Sequence, residues 1–160
     1  MTLPQISRAN MDRIIAQAER EFPYECCGFI IGNISGSDLV EEVRPITNIQ
    51  NAKHTKDPSA FPRDARTAFL MDPKEHLAVM REIDDRKLVL RIVYHSHPDH
   101  EAYFSETDRR QACSFDPEYP DYPETAYVVI SIMGGKFHRA AAFVWDADGK
   151  GFVETRLAIV

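Results

Sequence analysis

The chain predicts an α/β fold: a mixed, curved β-sheet flanked by two long helices and one short helix. Two kinds of observation carry that expectation. Two stretches place apolar residues at helical spacing behind recognisable caps, at Ser7 and at Asp72-Pro73, while several apolar, β-branched runs have strand length, residues 88–96 (LVLRIVYHS) and 127–133 (YVVISIM) being the plainest. With 160 residues, 44% of them hydrophobic, the chain can bury a full core as a single domain over residues 1–160.

Taken in order, Ser7 caps a helix running to about Phe22, with Met11, Ile14, Ile15, Ala18 and Phe22 on one face, and Pro23 ends it. Residues 28–34 form an apolar strand, residues 33–38 with Gly36 a turn, and residues 39–45 the returning strand of a hairpin. From 47 to 66 the chain is polar and holds Pro58 and Pro62, which reads as a long loop, with a short strand expected within 61–69. Asp72-Pro73-Lys74-Glu75 supplies a cap, a first-turn proline and an acidic third residue, and Leu77, Met80 and Ile83 are expected as the buried stripe of a helix ending near Arg86. The strand 88–96 follows, then a short helix from near Ser105 and an irregular loop at 116–124 (DPEYPDYPE), whose alternating acids, tyrosines and prolines forbid regular structure. Strands at 127–133 and 137–145, a turn at 146–151 and a last strand at 152–159 complete the chain.

Composition removes several classes of function. The 19 basic and 25 acidic residues give a net charge of −6, with no basic cluster of the kind that tracks phosphates, so nucleic acid is not an expected partner. No apolar run approaches the roughly 20 residues that span a bilayer, and residues 1–10 do not read as a signal peptide. A membrane is not expected either, and the cytoplasm is the expected compartment. Three cysteines, Cys26, Cys27 and Cys113, make a poor disulfide framework and fit free thiols in reducing surroundings.

The chemistry concentrates in Tyr94-His95-Ser96-His97-Pro98 and in Asp108, which follows His97 after ten intervening residues. On a strand, residues two apart share a face, so His95 and His97 point the same way. Asp108, in the first turn of a helix starting near Ser105, can bring a carboxylate to them. Two neutral nitrogens, one carboxylate and an open fourth position suit a catalytic Zn²⁺, one per chain. Ser105 also has a plainer reading as a helix N-cap, with Asp108 as a favourable first-turn acid, and the two readings are compatible. Cys26 and Cys27 are alternative soft ligands, although the histidine and carboxylate set is complete without them.

The arrangement His-x-His, ten residues, Asp, with Ser three places before the Asp, together with Pro23-Tyr24-Glu25-Cys26-Cys27-Gly28 far upstream, resembles the JAMM (MPN+) zinc metalloprotease family. The resemblance runs from about Ile6 to Trp145. It implies a cytidine-deaminase-like fold, His95, His97 and Asp108 as metal ligands, Glu25 as general base and Ser105 as oxyanion donor. The segments YHSHPDH and Cys26-Cys27-Gly28 are most similar to the small stand-alone bacterial branch that processes sulfur-carrier proteins. That implies hydrolysis after a C-terminal Gly-Gly of a ubiquitin-like or sulfur-carrier protein, with Tyr103, Phe104, Tyr119 and Tyr122 as candidate walls of a channel for its tail. Two other functions fit the same resemblance: a deubiquitinase-like isopeptidase releasing such proteins from lysines, and a non-catalytic scaffold. The chain departs from the family pattern in having Glu101 and Phe104 at positions where proline is usual, which bears on the loop rim and leaves every ligand in place.

Overall fold

Strands that are buried along nearly their whole length need cover on both faces, and two central strands here, β2 (Cys27–Gly32) and β5 (Ala126–Met133), are of that kind. The computed structural model describes residues 3–33 and 39–160. The expected turn around Gly36, like Ile34, lies outside the described residues. The main sheet has six strands in the order β3-β2-β4-β5-β6-β7, with β3 at Glu41–Ile46, β4 at Val89–Pro98, β6 at Lys136–Asp146 and β7 at Gly151–Thr155. Only β4 and β5 pair in parallel, so the sheet is mixed. A separate parallel pair joins β1 (Gln5–Ile6) to β8 (Ala158–Ile159).

Alternation along the strands divides the core in two. On one face Ile30, Ile92, Tyr94, Val128 and Ile130 pack with Met11, Ile14 and Ala18 of helix α1 (Arg8–Glu21). Ser7 caps α1 by accepting the Asn10 N–H at 3.1 Å, as its position suggests. On the other face Phe29, Ile31, Val93, Tyr127 and Val129 pack with Val79 of α3 (Pro73–Arg86) and Ala112 of α4 (Glu106–Ala112). His95 and His97 continue the Val93 side of β4, so the alternation delivers both imidazoles to the α3/α4 face.

One buried hydrogen-bond chain locks the strands that carry the site. Tyr94 Oη donates to Gln17 Oε1 at 2.5 Å, and Gln17 Nε2 donates to the Cys27 carbonyl at 3.3 Å, tying α1 to both β4 and β2. Gly28 makes room for this: a Cβ there would stand 2.3 Å from Tyr94 Oη and 2.7 Å from the Arg44 carbonyl oxygen.

Four expectations are corrected. Residues 50–56, read as loop, form a further short helix, α2 (Gln50–Lys56), and residues 61–69 form no strand. Helix α2 has no side-chain cap and buries only Gln50, so it carries neither of the signals that reveal a helix in sequence. Leu77 is 50% exposed; α3 instead buries Val79, with Met80 and Ile83 packed partly against the core. The closing strand is divided into β7 and β8, because its end leaves the main sheet to pair with β1. The expected caps of α3 are present: Asp72 accepts the Lys74 and Glu75 N–H groups, and Pro73 sits in the first turn.

Candidate metal centre and catalytic cleft

The antiparallel register of β2 and β4 sets Cys27 opposite His95. Continued two places, the same register brings Glu25 opposite His97, and two bonds secure the approach: Cys26 N–H donates to Ser96 Oγ at 2.8 Å and Ser96 N–H to the Cys26 carbonyl at 3.0 Å. Helix α4 supplies the remaining group. Ser105 Oγ accepts the Asp108 N–H and Asp108 Oδ2 accepts the Ser105 N–H, each at 3.0 Å, a reciprocal capping box that fixes the carboxylate of Asp108. Ser105 is therefore the helix cap its spacing suggested, and its own O–H remains available to a substrate.

His95, His97 and Asp108, all buried, converge: His95 Nε2 lies 3.2 Å from His97 Nε2 and 3.1 Å from Asp108 Oδ1, and His97 Nε2 lies 3.3 Å from Asp108 Oδ2. Ligand atoms about 2.0–2.1 Å from a tetrahedral ion stand about 3.3 Å apart. Donor chemistry fits a cation as well. His97 Nδ1 is bonded to the Glu101 carbonyl at 2.9 Å, which leaves the Nε2 lone pair free to face inward. The bond is to backbone, so glutamate in place of the usual proline leaves it intact. His95 is oriented by packing: its ring stacks on Phe69 with centroids 4.7 Å apart, and its buried Nδ1 has no hydrogen-bond partner among the described residues. These three residues could hold a metal ion. Cys26 and Cys27 do not join them; both are buried free thiols, and burial above all pushes the Cys26 thiol up to about 12.

A cleft of about 350 Å³ opens over the cluster, lined by Glu25, Arg63, Thr67, His97, His100, Tyr103, Ser105 and Asp108. All five residues expected at the site therefore meet, four on the cleft wall and His95 beneath it. Burial, and next the Asp108 charge, raise the Glu25 carboxyl to about 9, with the Arg63 charge opposing. Burial also acts to raise Asp108, but the charge and hydrogen bonds of His95, together with the His97 and Ser105 contacts, hold it far below the usual carboxylate range. Of the aromatic residues expected to wall a substrate channel, Tyr103 lines the cleft, edge-on to His97 at 5.0 Å. Phe104 instead turns inward against Tyr127, Phe143 and Phe152, while Tyr119 packs on Trp145 and Tyr122 faces His76. An apolar ring beside Ser105 gains more from that aromatic cluster than from the cleft rim.

Two residues that support the site carry no sequence signal. Asn48 Nδ2 donates to the carbonyls of Glu25 at 2.8 Å and Ala68 at 3.3 Å, while its Oδ1 accepts the Gln50 and Leu70 N–H groups, each at 3.0 Å. It thus ties the backbone of Glu25 to the segment bearing Phe69. Arg63 is the second, and its backbone carbonyl is held by Gln50 Nε2 at 2.8 Å.

Residues 7–145 match the family model described as prokaryotic homologs of the JAB domain. A CysO-cysteine peptidase from Mycobacterium tuberculosis is 33% identical over 139 residues, covering 86% of this chain and 80% of that protein. A desampylase from Haloferax volcanii is 26% identical over 126 residues, covering 79% and 73%. Among solved structures, a protein from Desulfitobacterium hafniense aligns with a TM-score of 0.68 at 26% identity, over 98% of this chain and 92% of the other. A JAB1/MPN domain protein from Archaeoglobus fulgidus aligns with a TM-score of 0.53 at 14% identity over 100% of both chains, a likeness of fold. Site, fold and relatives agree, and the chain belongs to the prokaryotic branch of the JAB (JAB/MPN) domain family.

Proposed function

We propose that this protein, acting as one catalytic domain in the cytoplasm, is a zinc-dependent metallopeptidase that hydrolyses the bond following the C-terminal Gly-Gly of a sulfur-carrier or ubiquitin-like protein. The observation that carries the reading is the convergence of His95, His97 and Asp108 beside Glu25 and Ser105 in one cleft. The resemblance to the CysO-cysteine peptidase supports a carrier-protein substrate. Buried free thiols fit a reducing compartment, and no helix among the described residues is long and apolar enough to cross a membrane.

His95, His97 and Asp108 would hold the ion. Zinc bound there supplies Lewis acidity, polarising the substrate carbonyl and making hydroxide available near neutral pH. Burial raises the Glu25 carboxyl, and a cation held by His95, His97 and Asp108 would act with Arg63 to oppose that and favour the carboxylate. In that form Glu25 takes the proton of the attacking water and passes it to the leaving amine. A carboxyl kept in a low-dielectric wall and near a positive charge is suited to both halves of that transfer, and such a group contributes about 10²–10⁴-fold. Ser105 Oγ, already accepting from the Asp108 N–H, keeps its proton to donate to the carbonyl oxygen as charge builds there.

The isopeptidase reading draws its support from the resemblance to the desampylase. The scaffold reading conflicts with a complete donor set and a buried base. The test separates metal from chemistry. His95→Ala and Asp108→Ala should lose both bound zinc and turnover, while Glu25→Gln should keep about one zinc per chain and lose turnover. Hydrolysis by Glu25→Gln near the parent rate would overturn the assignment of the base. Absence of zinc from the metal-replete parent would favour the scaffold. The isopeptidase reading prevails if lysine-linked conjugates are split while a carrier extended beyond Gly-Gly is left whole.

A further inference from the structure

Arg63 is the one lysine or arginine side chain lining the cleft, and among the described residues no carboxylate lies within ion-pair distance of it. Its one side-chain hydrogen bond is a long one, Nη1 to Thr107 Oγ1 at 3.4 Å, which aims the guanidinium toward the first turn of α4 between Ser105 and Asp108. The backbone beneath it is well anchored. Gln50 Nε2 holds the Arg63 carbonyl, Asn51 Oδ1 accepts the Ala65 N–H at 2.7 Å, and the Ala65 carbonyl accepts the Glu25 N–H at 2.7 Å. The guanidinium is thus presented from the segment that also fixes the base, exposed and close enough for its charge to act on Glu25, yet in ion-pair contact with no carboxylate among the described residues.

We propose that Arg63 receives the free α-carboxylate of the residue on the leaving side of the scissile bond, a specificity contact that separates a terminal α-linked residue from an amidated or lysine-linked one. The inference rests on the peptidase reading above and sharpens its substrate. In a terminal α-linked residue the carboxyl carbon stands about 2.5 Å from the scissile nitrogen, two bonds away. An arginine lining the same cleft as the base can therefore engage it while the bond lies over the metal site. In a lysine-linked conjugate the corresponding nitrogen is followed by four methylenes, and the backbone beyond them carries amides in place of a carboxylate. A fork of guanidinium N–H groups matches a carboxylate and gains nothing comparable from an amide.

The experiment compares a ubiquitin-fold carrier ending in Gly-Gly plus one cysteine, with its α-carboxylate free or amidated, using zinc-loaded parent, Arg63→Met and Arg63→Lys. A bond to a charged group predicts a parent preference for the free acid on the order of 10- to 100-fold in kcat/KM, expressed mainly in KM. In Arg63→Met the ratio should fall to about 1, and Arg63→Lys should retain part of it. Inhibition of the parent by free cysteine, relative to cysteinamide, should weaken in parallel. Zinc content and thermal midpoint of the variants report that the site is intact. Equal cutting of acid and amide by the parent overturns the carboxylate role and leaves the peptidase reading standing. Equal loss on both substrates in Arg63→Met, with kcat affected, overturns it in favour of an action on Glu25 or the carbonyl oxygen. Failure of the loaded parent to cut either substrate overturns both.

Discussion

Replacing Asn48 by alanine removes four hydrogen bonds at one stroke: two donated to the carbonyls of Glu25 and Ala68, and two accepted from the N–H groups of Gln50 and Leu70. Each is worth about 1 kcal/mol net, and leaving a partner unsatisfied costs more. Asn48 is only half-buried, so water can reach part of the vacated space and restore some of the partners. The expected loss is therefore about 2–3 kcal/mol, which for a chain of this length lowers the thermal midpoint by about 4–12 °C. Asn48→Asp should be at least as unstable at pH 7, because it sets a negative oxygen against two carbonyls where an NH₂ now donates. Zinc content should be nearly unchanged, since none of the four bonds reaches a residue of the His95, His97 and Asp108 cluster, whereas kcat should fall because the backbone of Glu25 loses its tether. Urea unfolding, metal analysis and steady-state kinetics on the three proteins check this. A stability loss below about 0.5 kcal/mol, or an Asn48→Asp variant as stable as the parent, would refute the reasoning.

Ser105→Ala should lower kcat by roughly 10²–10³ through the lost oxyanion donor and weaken the start of α4 by about 1 kcal/mol; a change confined to KM would contradict the donor role. Zinc at 100 times its Kd should stabilise the parent by about 2.7 kcal/mol over chelator-treated protein, and scanning calorimetry should find that increment absent from Asp108→Ala. Glu82 bridges Arg44 and Arg86 at 2.6 Å each, and its hydrogen bond to Arg44, followed by the other contacts of that network, holds its carboxyl at about 2. Its folded-state value is depressed, so its contribution is complete above the ordinary 4.5 and is lost as pH falls toward 2. Because the pair sits at the surface, Glu82→Gln should cost at most about 1 kcal/mol at pH 7, with the gap to the parent closing between pH 4.5 and 2 in urea titrations; a gap that widens on acidification contradicts the sign.

The site was legible in the sequence to the extent that it is built from local rules. Strand alternation is enough to put His95 and His97 on one side, and the Ser105/Asp108 spacing is enough to announce a capped helix whose first turn holds a carboxylate. Glu25 is different, since nothing local distinguishes it from a solvated acid after a helix. Family resemblance named it, and the pairing of Cys27 with His95 brought it to the cleft.

By itself, then, the sequence determined the capped helices α1 and α3, the apolar strands and the residues of the candidate metal cluster, because each depends on spacing within a few residues. Only the tertiary structure decided which way Phe104 turns, which face of α3 is buried, that residues 50–56 are helical, and that the tail divides between two sheets. Those outcomes depend on surfaces contributed by distant segments, which no local pattern contains. Asn48 and Arg63 show the same limit most sharply. Both lie in a polar stretch without periodicity, and their importance arises entirely from what the fold brings to them: two carbonyls for an amide, and a cleft for a guanidinium.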